Sequence, residues 1–89
     1  MIKLEYFHNP VCPYCPAAKS LITKVVEGLK DIEIVEVDTF TEEGIARGMA
    51  LNLMAVPAVA INGVMKLVGW PFEEADLLAY ILEAERTAV

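Results

Sequence analysis

The chain has 89 residues, with 7 basic and 13 acidic side chains and a formal charge of −6. That length suits one domain, expected to span residues 1–89, and 56% hydrophobic content is enough to build a core, which excludes the disordered class. The acidic balance excludes nucleic acid, which needs a cationic surface, and it excludes an anionic membrane surface as a partner.

No stretch reads as a membrane span. The longest apolar run, Met49 to Ile61, is interrupted by Asn52 and Pro57 and falls short of the ~20 residues required. The opening Met1-Ile2-Lys3-Leu4-Glu5-Tyr6 has no signal-peptide character, so the expected address is the cytoplasm.

In chain order, Ile2 to Phe7 predicts a strand, followed by the loop His8-Asn9-Pro10-Val11. A helix is expected from Cys12, with Pro13 at its first position, where a missing N–H costs nothing. Ala18, Leu21, Ile22, Val25, Val26 and Leu29 recur at helical spacing as its buried stripe, and Gly28 marks its end. Ile32 to Val37, rich in β-branched residues, predicts a second strand.

Thr39-x-x-Glu42 reads as a capping box for a helix from about Phe40 to Leu51, closed by Asn52. Ala58 to Ile61 and Val64 to Val68 predict two strands joined by Asn62-Gly63, the signature of a type I′ hairpin turn. After Gly69-Trp70-Pro71, a last helix is expected from Phe72 to about Arg86, with Leu77, Leu78, Ile81 and Leu82 on its apolar side. Met49, Met54 and Met65 read as core fill. The order β-α-β-α-β-β-α predicts a four-stranded mixed α/β sheet with helices on both faces and a right-handed first crossover.

Cys12 and Cys15 are the chain's two cysteines, too few for a secreted disulfide scaffold. A thiolate at a helix N-terminus is stabilised by the positive end of the helix dipole. On that reading Cys12 attacks a substrate disulfide and Cys15, one turn on, resolves the mixed disulfide. Pro13 stiffens the turn, and Tyr14 shields the sulfurs. A zinc site would need four ligands, and His8 is the one further good candidate, so a single chain does not complete one. His8 itself, four residues before Cys12, reads either as a group assisting the thiolate or moving protons or, more simply, as a loop-end side chain facing water or capping the strand.

Cys12-Pro13-Tyr14-Cys15, after a strand and opening a helix, resembles the glutaredoxin active site. Ala55-Val56-Pro57 before a strand resembles the cis-proline loop of the thioredoxin superfamily, and the segment from Ile61 through Gly69 into the last helix resembles the thioredoxin end. The resemblance implies a thioredoxin fold and a dithiol–disulfide oxidoreductase that reduces or exchanges disulfides through Cys12 and Cys15. It implies no prosthetic group and no metal, since the cysteines are the redox centre. Pro13, Tyr14, Val56, Pro57 and Trp70 are implied as the substrate-binding surface, with Val56–Pro57 cis.

Where glutaredoxins carry a Gly-Gly-x-Asp-type segment that holds a carboxylate of glutathione, this chain has Gly69-Trp70-Pro71-Phe72, and Ala55 stands where that family has Thr. Tyr6 occupies the place of the buried Asp of thioredoxins, the usual proton acceptor. Protein disulfides are therefore the expected substrates of a monomeric enzyme. Electrons are expected from a thioredoxin-reductase-type flavoenzyme or a low-molecular-weight thiol. The potential implied lies between ~−270 mV and ~−180 mV. The alternative from another class is a non-enzymatic metal or iron–sulfur carrier in which two chains each give Cys12 to a bridging cluster.

Overall fold

The computed structural model describes residues 2–87. Along the chain lie β1 (Ile2–His8), α1 (Cys15–Glu27), β2 (Ile32–Asp38), α2 (Glu42–Ala50), β3 (Ala58–Ile61), β4 (Val64–Val68) and α3 (Glu74–Thr87). The strands form one sheet in the order β2-β1-β3-β4. β1 runs parallel to β2 and antiparallel to β3, and β3 pairs antiparallel with β4, which is the mixed sheet expected.

The pleat of β1 sorts its side chains between two layers, because successive residues point to opposite faces. Ile2, Leu4 and Tyr6 join Val59 and Ile61 of β3 in the larger core, with Ala18 and Ile22 of α1 and Leu77 and Ile81 of α3. Phe7 joins Ala58 and Ala60 in a smaller cluster, covered by Leu51 and Leu53 after α2. Glu5, on that same face and 3% exposed, takes two hydrogen bonds from the Arg47 guanidinium of α2, at 2.8 and 2.7 Å. A buried carboxylate needs such a partner, since an unpaired charge costs far more than the pairing returns.

The hairpin turn is as expected: Asn62 and Gly63 have φ of 50° and 83°, the two positive values a type I′ turn needs. Asn62 also ties the turn to β1, its N–H donating to the Lys3 carbonyl and its Oδ1 accepting from the Lys3 N–H, both at 2.9 Å.

Helix starts differ from the sequence-based expectation. α2 is capped by Thr41, whose hydroxyl accepts from the Gly44 N–H, and not from Thr39. Thr39 instead donates its hydroxyl to the His8 carbonyl at 3.0 Å, fastening the end of β1. At the other end of α2, Leu51 is the cap and Asn52 follows it at φ 56°, with Leu53 N–H bonded to the Gly48 carbonyl, a Schellman arrangement. α3 begins at Glu74, two residues later than expected, since Phe72 is buried below its start. Met49 and Met54 are 75% and 85% exposed and so are not core fill; only Met65 packs against a buried cluster.

No helix among the described residues is long and apolar enough to cross a membrane.

Candidate active site

Three prolines shape the segment that carries the cysteines. Pro10, Pro13 and Pro16 each remove a main-chain donor, and a proline disfavours helical backbone in the residue before it. α1 starts at Cys15, with Tyr14 as its cap and Pro16 in its first turn, and Pro13 is not its first residue. The first helical bond runs from Ala18 N–H to the Tyr14 carbonyl at 3.0 Å.

Cys12 and Cys15 are nevertheless joined as a disulfide, their Cα atoms 5.5 Å apart. The bond holds the Cys12 sulfur against the first turn of α1 although its backbone lies one turn earlier. That turn carries no acidic residue, whereas α2 and α3 both open with two. Nothing anionic in α1 competes with a thiolate for the positive end of the helix dipole. Cys12 is half-buried and Cys15 buried at 5% exposure, the asymmetry expected of an attacking and a resolving sulfur.

The Val56–Pro57 bond is cis. Pro57 is buried, and its carbonyl accepts from the Gly69 N–H at 2.8 Å, so the proline loop and the loop after β4 are joined. Gly69 has φ 83°, a conformation that glycine adopts without steric cost. Val56 and Cys12 pack against the same buried cluster, while Tyr14 and Pro13 are exposed. Trp70 is half-buried and also packs on that cluster, followed by a second cis bond to Pro71. Its ring meets Phe72 edge-to-face at 5.1 Å and lines a groove between α1 and α3 with Leu21, Val25 and Leu78. The cavity that the sulfurs line does not include it.

That cavity, of about 310 Å³, was not foreseen. Besides both cysteines, its walls include Tyr6 and His8 from β1, Lys19 from α1 and Glu36 from β2. The Tyr6 hydroxyl donates to the Cys15 carbonyl, and its ring stacks on His8 with centroids 5.2 Å apart. Burial, and secondarily the Glu36 carboxylate, push the Tyr6 hydroxyl above its ordinary range, so it stays a donor. Lys19 and Glu36 form an ion pair at 3.1 Å on the outer side. His8 thus ends β1 as the simpler reading had it, but is half-buried in the wall of the cavity that the sulfurs line and does not simply face water. The signal was present in two patterns: Tyr6 and His8 share one face of β1, and the parallel register sets Glu36 opposite Tyr6.

Among the described residues, no group of three or more His, Cys, Asp or Glu side chains is gathered so as to hold a metal ion.

A bonded cysteine pair at the start of the first helix, opposite a cis-proline loop, is the arrangement of a dithiol–disulfide oxidoreductase. Comparison with known proteins agrees. The family model described as "Thioredoxin domain" matches residues 2–82. The chain is 38% identical over 74 residues to a thioredoxin of Methanocaldococcus jannaschii, covering 83% of this chain and 86% of that one. It is 37% identical over 75 residues to a probable thioredoxin of Methanothermobacter marburgensis, with the same coverages. Among solved structures, thioredoxin O2 from Arabidopsis thaliana in the oxidised state superposes with a TM-score of 0.73 at 20% identity, over 93% of this chain and 74% of that one. The chain belongs to the thioredoxin family and is a thiol–disulfide oxidoreductase.

Proposed function

We propose that this enzyme reduces or exchanges protein disulfides, with Cys12 as nucleophile and Cys15 as resolving thiol, within one thioredoxin-fold domain. The observation that carries the reading is the Cys12–Cys15 disulfide at an acid-free helix start, with one sulfur half-buried and the other buried. In the forward direction a thiolate on Cys12 attacks a substrate sulfur and forms a mixed disulfide. Cys15 then attacks the Cys12 sulfur, closes the intramolecular disulfide and releases the second substrate thiol.

The Cys-Pro-Tyr-Cys segment gives the pair its glutaredoxin-like character, but the substrate surface favours peptides over glutathione. Val56 offers main chain to an extended substrate in the manner of strand addition. Pro13 and Tyr14 lie exposed beside the sulfurs, and Pro57 backs the loop. Gly69-Trp70-Pro71-Phe72 supplies an aromatic loop in place of the segment that would hold a carboxylate of glutathione. The protein works as a monomer in the cytoplasm and is recharged by a thioredoxin-reductase-type flavoenzyme or a small thiol.

The test is trapping. Cys15→Ser should accumulate mixed disulfides with protein substrates on Cys12, and Cys12→Ser should be inert in insulin reduction. Adducts formed through Cys15 would reverse the roles, and glutathione saturating at low concentration would restore a conventional glutaredoxin.

A further inference from the structure

The resolving step leaves one proton without a carrier. Cys15 attacks as a thiolate, so its thiol must first lose a proton, and at 5% exposure it has little contact with bulk water. The cavity beneath the sulfurs offers four other titratable side chains: Tyr6, His8, Lys19 and Glu36.

Three of them are already committed. Tyr6 donates to the Cys15 carbonyl and is held protonated by burial. Lys19 and Glu36 are each other's counter-ions at 3.1 Å. Carboxylic acids as a class, near ~4.3, lie about four units below a thiol near ~8.5, a poor match for proton exchange; imidazole, near ~6.5, lies between them. His8 is also well placed. Its ring is braced by Tyr6, and its carbonyl is held by the Thr39 N–H at 2.8 Å and the Thr39 hydroxyl at 3.0 Å. Its register partner on β2 is Asp38, whose carboxylate is engaged by the Phe40 N–H at 2.8 Å.

We infer that His8, the chain's one histidine, is the proton carrier of the cysteine pair, acting through the cavity it shares with both sulfurs. The inference rests on the roles given above to Cys12 and Cys15. With half of the substrate joined to Cys12, the Cys15 thiol passes its proton across the cavity to the imidazole. The Cys15 thiolate attacks the Cys12 sulfur; the Cys12–Cys15 bond forms as the bond from Cys12 to the substrate breaks. The departing substrate thiolate takes the proton back from the imidazolium. Two electrons leave the dithiol for the substrate, and His8 ends in its starting state.

Stopped-flow reaction of the reduced protein with 5,5′-dithiobis(2-nitrobenzoate) separates the steps, because attack releases one coloured thionitrobenzoate and resolution the second. His8→Phe keeps a ring against Tyr6 but carries no proton. The second release should slow by about tenfold or more near neutral pH and lose its pH dependence in the histidine range, while the first persists. His8→Gln should behave alike and covers the case of a poorly folded Phe variant. Glu36→Gln should keep the wild-type pH profile. An independent readout is the C2 proton resonance of the imidazole, which should titrate along separate curves in the oxidised and reduced protein. Wild-type second-phase kinetics in both His8 variants, loss of the pH dependence in Glu36→Gln, or coincident resonance curves would each overturn the inference. A first adduct found on Cys15 would instead overturn the assignment of the nucleophile.

Discussion

The hydroxyl of Tyr6, on the strand before the redox site, donates to the main-chain carbonyl of Cys15, the first residue of α1. The central strand and the redox helix are thereby bonded at the level of the sulfurs, inside a core where Tyr6 is only 2% exposed. Tyr6→Phe removes that bond and keeps the ring. The oxidised variant should lose about 1 kcal/mol in urea denaturation, because the Cys15 carbonyl can still accept a bond from within the helix. An unchanged midpoint would mean that the hydroxyl bond adds nothing to stability.

Glu5 and Arg47 make stability depend on pH. The hydrogen bonds from Arg47 are the largest influence on the Glu5 carboxyl and hold it below its ordinary range, against burial, which pushes the other way. The folded protein therefore binds this proton less readily than the unfolded chain does. The stabilisation is complete above the ordinary glutamate range and is lost as pH falls through the depressed value. Arg47→Met should lower the urea midpoint at pH 7, and the gap from wild type should narrow on acidification as Glu5 becomes neutral. A gap that stays constant with pH would show that Arg47 acts by packing alone.

Two glycines should respond oppositely to alanine. A Cβ on Gly44 would overlap the carbonyl oxygen of Asp38, which is backbone and has little freedom to retreat. Gly44→Ala should cost about 3 kcal/mol or more, read from the denaturation midpoint. A Cβ on Gly28 meets nothing within 4 Å at an ordinary negative φ of −88°, so Gly28→Ala should be neutral or slightly stabilising.

Trp70 should distinguish large substrates from small ones. Trp70→Ala should raise the KM for insulin in an insulin-reduction assay by about tenfold and leave the reaction with a small aromatic disulfide unchanged. Equal losses on both would place its effect in the core, through Phe72, and not in docking.

What could be read from the sequence was local. The cysteine pair, Val56-Pro57 and Asn62-Gly63 each announce themselves within four residues, and the alternation of strand and helix patterns is enough for the element order and a mixed four-stranded sheet, though not for the order of strands within it. The start of α1 differs from the expectation because the proline in its first turn is Pro16 and not Pro13. Thr39 and Thr41 both have cap chemistry, and only the anchoring of Thr39 to His8 settles which one caps α2. Exposed Met49 follows from the brevity of α2, whose nine residues bury only the glycines Gly44 and Gly48, and exposed Met54 lies in the loop between α2 and β3. The cavity was out of reach, since it depends on side chains from two strands and a helix that converge only through the β1–β2 register.

Because β1 sends Tyr6 toward the sulfurs and Glu5 toward α2, the sheet separates the layer of the disulfide from that of α2, with Val56 packing on both. Ala58 and Ala60 face α2 from β3, and Phe7 and the Glu5–Arg47 ion pair complete that layer. Its outward residues Ile45 and Met49 are 50% and 75% exposed and on the far side from the disulfide. An engineer could resurface α2, or graft a recognition sequence there to redirect the enzyme to new clients, and leave the electron chemistry on the opposite face untouched.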